Sequence, residues 1–483
     1  MKLHTPHSKL GFPITPRSFW GFLSTALLQI VRDRRAINRL QFGSALGISV
    51  GLILTLSLYT GVLGHAPLRL SDLLYQPHNP SGQVVLVAID DVSLKEIGAL
   101  PWRRATVAQL VNTVAQAKPR VIGLDLMLAD PTNDDVQLAQ ALAQAPQVVL
   151  PVIGVDVTRL PAESNSFPRF GVVLKPTTAL VTPNTQLGYS MFPADSDGIL
   201  RRASIAIQEG ERNYAPLGIT ALELVQGTRL ERTIQEDRVS MGTGFLSVDN
   251  EARMLINFFN LTSVRLSAAA VLNGSANLAQ LQDKIVLIGP SGTATAQSYQ
   301  TPISGQRLSS TEIQANLIET LLSHRTLVEQ DLLTQVVMIL LLAILAGATL
   351  PHFRILTAAG LVIIYFLLYL GYAFAMFDRG ILVQPFYPVV ALLLVLVGSA
   401  IYRYFSEERH RDFITTLLRR YVAPDDALQL TEDLNYKLLP FGGTRRQVSV
   451  LALDLSDLEV LADSLTPPAL ISLLDQYVSL AVA

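Results

Sequence analysis

The sequence contains no cysteine. Disulfides, thiolate metal sites and cysteine nucleophiles are therefore excluded, and any exported part must fold on its core alone. Charge is also scarce. Asp, Glu, Lys and Arg make up 16% of the 483 residues, half are hydrophobic, and the mean hydropathy is +0.37. That is too apolar for a purely soluble protein and too charged for a pure bundle of spans. The composition predicts a multidomain membrane protein. The net charge is −2, so no overall basicity argues for a nucleic-acid partner.

Four apolar stretches are long enough to cross a bilayer: 42–64, 332–350, 355–377 and 381–402. None carries an interior Asp, Glu, Lys or Arg to mark a transport pathway. Only PHFR and DRG separate the last three, which predicts a tight up-and-down series in a four-span helical bundle with lipid around it. Arg32, Arg34, Arg35 and Arg39 precede the first span, Arg354 lies between the second and third, and Arg403, Arg409, Arg411, Arg419 and Arg420 follow the fourth. Basic residues mark the cytoplasmic side, so both termini are expected there and 65–331 outside, in a plasma (inner) membrane. About 40 residues precede the first span, which reads as an uncleaved anchor behind a cytoplasmic segment, 1–41. Gly43, Gly47 and Gly51 share one face of that span. Small residues at this spacing let two backbones approach, in a homodimer or against the chain's own spans.

Residues 65–331 alternate strand and helix signals. Buried-strand runs at 83–90, 120–128, 147–154 and 284–289 are interleaved with amphipathic helices at 104–118, 134–145, 215–226 and 310–323. A further strand reads at 253–259. This order predicts an α/β domain with a parallel sheet and helices packed on it. Ligands of such sheets bind beyond the carboxyl ends of the strands. Asp90 and Asp91 end the first strand, Asp125 lies near the end of the second, and Asp195, Asp197 and the Arg201–Arg202 pair sit in FPADSDGILRR. Together with Trp102 and Arg103 they are the candidates for one ligand crevice. Two readings stand side by side: carboxylates that bind a cation or basic ligand, and carboxylates that cap the helices following each strand. Trp102 likewise suits core or lid packing.

Several motifs in order carry a resemblance: IDD.S at 89–93, G.LPW.R at 98–104, GLDL at 123–126, then DSDGILRR, KIVLIG, Thr301–Pro302 and EIQAN. They resemble the CHASE type-two family, extracytoplasmic input domains of bacterial signalling proteins. The resemblance implies a sensor with an unnamed ligand, followed by membrane helices.

After the fourth span, 403–444 reads as a transmission helix and linker. Phe413, Leu417 and Tyr421 repeat on one face, and Glu407–Arg411 form an i, i+4 pair. The segment suits a helix carrying motion inward or one lying on the bilayer. The final stretch, 445–483, with GGTRRQVSVLALDLSDL and then PALISLLDQYVSLAV, resembles the opening of the class III adenylate/guanylate cyclase domain. The resemblance implies that Asp454 ends a strand and binds Mg²⁺, one of two metals that clamp the triphosphate. One such carboxylate makes no two-metal site. The chain as given is therefore expected to be inactive alone, an incomplete α/β cyclase-like C-terminus. Two functions follow. One is a membrane receptor reporting to a cyclase-type partner in trans. The other is an adenylate cyclase making cyclic AMP from ATP, its catalytic domain truncated here.

Overall fold

The computed structural model describes residues 34–418 and 462–482, apart from 65, 158–166, 229, 236–237, 242–243, 250, 292–297, 304, 306 and 324. Two compact units divide the chain at Phe405 and Ser406.

The first unit holds a seven-stranded sheet. Its strands are β1 (Val84–Ile89), β2 (Val121–Leu124), β3 (Gln147–Val157), β4 (Phe170–Leu174), β5 (Thr185–Tyr189), β6 (Arg265–Ser267) and β7 (Ile285–Pro290). The order is β6-β1-β7-β2-β3-β4, with β5 also on β3. Every pairing is parallel except β3 with β4. Parallel strands covered on both faces need apolar residues throughout, and VVLVAI in β1 is buried at all six positions. Alternation then divides each strand between two cores. Val84, Leu86, Ile285 and Leu287 enter one, and Val85, Val87, Val286 and Ile288 the other.

Helices α1 (Arg34–Thr60), α2 (Ala66–Ser71), α3 (Asp91–Ile97), α4 (Arg104–Gln116), α5 (Asp135–Gln144), α6 (Leu217–Gln226), α7 (Ala268–Leu272) and α8 (Ser310–Leu322) complete the domain and its first span. Helices α4, α5 and α7 cover the second core, and α6 and α8 the first. Residues Thr311 to Leu321 of α8 are all buried. Its polar side chains organise neighbouring backbone: Gln314 Nε2 donates to Tyr189 O (2.9 Å), Asn316 Oδ1 accepts from Phe259 N (2.7 Å), and Thr320 Oγ1 from Asn257 N (3.1 Å). Burial of such groups is tolerated because each is bonded.

Three more long helices follow: α9 (Leu332–Thr349), α10 (Ile355–Asp378) and α11 (Phe386–Leu418). Four helices, 37–60, 332–352, 355–378 and 386–406, are long and apolar enough to cross a membrane. The fourth starts later than 381, because Ile381–Leu382 form a short strand parallel to Val328–Glu329. The strand expected over 253–259 covers only Arg253–Leu255, paired antiparallel with Arg202–Ser204.

The small-residue face of α1 bears on the two settings expected for it. It packs on α9 of the same chain. A Cβ added at Gly43 would lie 2.0 Å from Gly347 O, and one at Gly47 2.3 Å from Ala343 O. The backbones are in contact, so this face is filled within one subunit.

In the second unit, α12 (Pro467–Val482) matches the helix expected there. Asp454 and the strand expected to end at it, with Arg419, Arg420 and Tyr421, lie outside the described residues.

Candidate functional site

The crevice expected to gather all the candidate residues is divided by the structure into separate groups. Asp90 is the N-cap of α3 and accepts Ser93 N (2.9 Å), Ser93 Oγ (2.7 Å) and Ser267 Oγ (2.9 Å). Burial opposes its ionisation, but these hydrogen bonds hold the carboxyl below its ordinary range. Asp91 is exposed in the first turn of α3. Trp102 is buried and donates Nε1–H to Gly98 O at 2.8 Å, a packing role. Among the described residues, no group of three or more His, Asp or Glu is arranged to hold a metal ion.

Arg103 does not enter a crevice. Its side chain is 82% exposed and meets Asp134 at 3.3 Å. The next residue, Arg104, is the buried one: its side chain is 8% exposed, paired with Asp135 (3.1 Å) and bonded to Asp130 O (2.9 Å). Helix geometry explains the exchange, because Arg103 caps α4 and Arg104 begins its inward face.

Asp125 sits where β2 ends, beside β7. Its Oδ2 accepts the hydroxyls of Ser310 and Thr311, the latter at 2.8 Å. Gly289 permits this approach, since a Cβ there would fall 2.3 Å from Thr311 Oγ1. Burial pushes the Asp125 carboxyl above its ordinary value, against the hydroxyl bonds.

Asp195, Asp197 and Arg201 do converge, in a place of their own. Arg201 is fully buried. Its guanidinium holds Asp72 in a fork (Nε–Oδ1 2.6 Å, Nη2–Oδ2 2.7 Å), with Asp197 at 2.9 and 3.0 Å and Asp195 at 3.1 Å. Asp72, missed in the sequence, lies between α1 and β1, 129 residues away. Burial raises the Asp72 carboxyl despite Arg201, and the neighbouring Asp197 and Asp195 push the same way. Arg202 extends the network to Asp249 (3.0 Å) and Glu329. Arg253 also reaches Asp249, at 2.9 Å.

This network lies against the ends of the spans. Tyr75, three residues after Asp72, packs edge-on against Phe377 of α10 and against Phe258. The strand carrying Glu329 pairs with Ile381–Leu382, and Gln330 Nε2 donates to Tyr372 OH at 3.2 Å. Leu342, Tyr369, Ala373 and Phe377 belong to the same buried cluster as the first core of the sheet domain.

A model of the CHASE2 domain family matches residues 49–349, more than half of the chain. The chain belongs to the CHASE2 family. The match takes in the last part of α1, from residue 49, with the whole sheet domain and α9. CHASE2 is a sensor domain family, consistent with a receptor in signal transduction. No curated protein and no solved structure matches the chain.

Proposed function

We propose that the protein is a membrane-bound receptor whose CHASE2 domain senses an extracytoplasmic signal and passes it, through the four spans and α11, to a cyclase-type output. The observation that carries this reading is the continuity of the sheet domain with the span ends. One buried cluster joins them, the Val328–Glu329 and Ile381–Leu382 ladder stitches the entry of α9 to the α10–α11 turn, and Tyr75 bridges to Phe377. A displacement of the domain then moves packed helices rather than a slack linker, and close-packed elements shift between discrete arrangements. The output is a cyclase partner in trans, engaged through the segment after α11. Mg²⁺ enters only with a complete cyclase domain.

Hydrogen exchange on the full chain tests transmission. Tyr75→Ala is expected to speed amide exchange in the half of α11 beyond residue 402. Unchanged exchange there, with the variant folded, would remove the receptor reading. The second reading, adenylate cyclase activity, rests on the resemblance around Asp454. It is tested by incubating the purified chain with ATP and Mg²⁺ or Mn²⁺, and sustained cyclic AMP production would favour it.

A further inference from the structure

His78 lies where the sheet domain meets the ends of the spans, and its backbone is held in place. Its N–H donates to Phe258 O (3.1 Å), its carbonyl accepts Asn260 N–H (2.8 Å), and its ring is tilted against Phe259 with centroids 6.1 Å apart. The residue is half-buried. Two charges of opposite sign act on the ring. Arg325, just after α8, places Nη1 3.4 Å from His78 Nδ1, a long hydrogen bond. Asp378, at the end of α10, favours the protonated ring. Arg325 and Asp378 are both exposed, and among the described residues neither joins an ion pair. The 258–260 segment adds no titratable group, and Glu319 in the last turn of α8 is engaged by Ser81 N–H and Oγ–H (2.8 and 3.0 Å).

This arrangement requires a neutral ring. A guanidinium has donors only, so Nδ1 must offer its lone pair and the ring carries its proton on Nε2. Burial first, and the Arg325 charge second, hold His78 below its ordinary value of about 6.5, against the pull of Asp378. A proton on Nδ1 turns the acceptor into a donor. The ring can then no longer accept from Arg325, two cations stand side by side, and Asp378 is the acceptor of opposite charge. Histidine is the side chain whose ordinary range permits this exchange between about pH 5 and 8.

The position gives the exchange a lever. Arg325 and Asp378 each stand three residues before the ladder pair Val328 and Ile381. Val328 N–H donates to Gly380 O (2.8 Å) and Gln330 N–H to Leu382 O (3.0 Å), and a Cβ added at Gly380 would lie 2.8 Å from Thr326 O. The segments leading into α9 and α11 thus run side by side immediately after the two residues that act on His78. We propose that His78 is a proton-operated switch: uptake of a proton on Nδ1 from the surrounding water replaces Arg325 by Asp378 as its partner and loosens the ladder at the entry to α9. A difference of one pH unit in proton affinity between the two arrangements shifts their ratio about tenfold. The switch rests on the receptor reading only in making the proton an input signal.

The test uses the full chain in phosphatidylcholine nanodiscs. With labelled histidine, the ring signal lost in His78→Gln is that of His78, and its titration midpoint is read in the parent and in two variants at exposed positions. Arg325→Gln is expected to raise the midpoint and Asp378→Asn to lower it, each by about 0.3 or more on the pH scale, a twofold change in proton affinity. A midpoint that either variant leaves in place overturns the proposal. Hydrogen exchange at the amides of Val328 and Gln330 reads the lever. At pH 5.0 the parent is expected to exchange at least twofold faster than His78→Gln, and at pH 7.5 the two are expected to agree within twofold. Comparing the two chains at one pH cancels the intrinsic pH dependence of exchange and the titration of other carboxylates. A difference under twofold at pH 5.0, or an equal difference at both pH values, overturns the switch. A response at these amides with none beyond residue 402 keeps the switch and removes only the receptor reading.

Discussion

Tyr75 meets Phe377 edge to face, their ring centroids 5.4 Å apart, although 302 positions separate them (377 minus 75). One ring belongs to the chain leaving α1 and the other to the end of α10. Edge-to-face pairs contribute about 0.5–1.5 kcal/mol beyond the area they bury. A double-mutant cycle of Tyr75→Ala and Phe377→Ala, read by thermal unfolding of the full chain, is expected to give a coupling in that range. A coupling of zero would mean that the contact fastens nothing.

Among the described residues Arg201 is the one cation paired with Asp72, and it also holds Asp195 and Asp197. Arg201→Met leaves buried carboxylates facing one another. Breaking a buried ion pair from one side costs about 3–5 kcal/mol. The sign of the pH dependence follows. Without the guanidinium the folded-state carboxyls bind protons more tightly than the unfolded ones, so the folded variant gains protons, and stability, as pH falls. The loss measured at pH 7 is therefore expected to shrink at pH 4.5. An equal loss at both pH values would assign Arg201 to packing alone.

Adjacent arginines give a sharper contrast. Arg103 is exposed with a surface partner, and Arg104 is buried with Asp135. Exposed pairs contribute about 0–1 kcal/mol, while stranding a buried Asp135 costs about 3–5 kcal/mol. Arg103→Ala is expected to leave the unfolding temperature nearly unchanged and Arg104→Ala to lower it by many degrees. The reverse order would overturn the assignment of the inward face of α4.

These pairs also mark what was legible in the sequence. The runs VVLVAI and KIVLIG announced buried parallel strands because they are apolar almost throughout, rich in β-branched residues and too short for a span. Helices α4, α5, α6 and α8 and the spans α9 and α10 were placed within two residues at either end. What stayed hidden was pairing across long separations. Asp72 carries no local pattern that names Arg201, and Glu329 none that names Arg202. Strand β6, RLS, is short and mixed in polarity, and β4, FGVVL, shows no alternation of polarity; they pair with β1 and β3. The capping role of Asp90 was one of two open readings, and the structure places it at the N-cap of α3 with Ser93 N–H as its donor.

Asp125 offers a pH test. Burial holds its folded carboxyl above the ordinary value. The folded state thus binds this proton more tightly. The stabilisation is complete below the unfolded value of about 3.9 and is lost as pH rises through the folded value. At neutral pH the ionised group is a cost. Asp125→Asn removes that cost and keeps the shape, so the variant is expected to unfold at a higher temperature than the parent at pH 7, with the difference gone near pH 4. A variant less stable than the parent at pH 7 would mean that the carboxylate is needed in its charged form.

The seam between α1 and α9 makes the last prediction, which separates packing within a subunit from packing between subunits. Gly43 and Gly347 let the two backbones touch. A leucine at position 43 must push the helices apart, and overpacking typically costs about 1–3 kcal/mol. Gly43→Leu is therefore expected to lower the unfolding temperature of the detergent-solubilised chain. Its mass by light scattering should equal that of the parent, because the face it fills belongs to the same chain. A variant of unchanged stability but smaller mass would show that Gly43 faces a second copy, and the intramolecular seam would have to be abandoned.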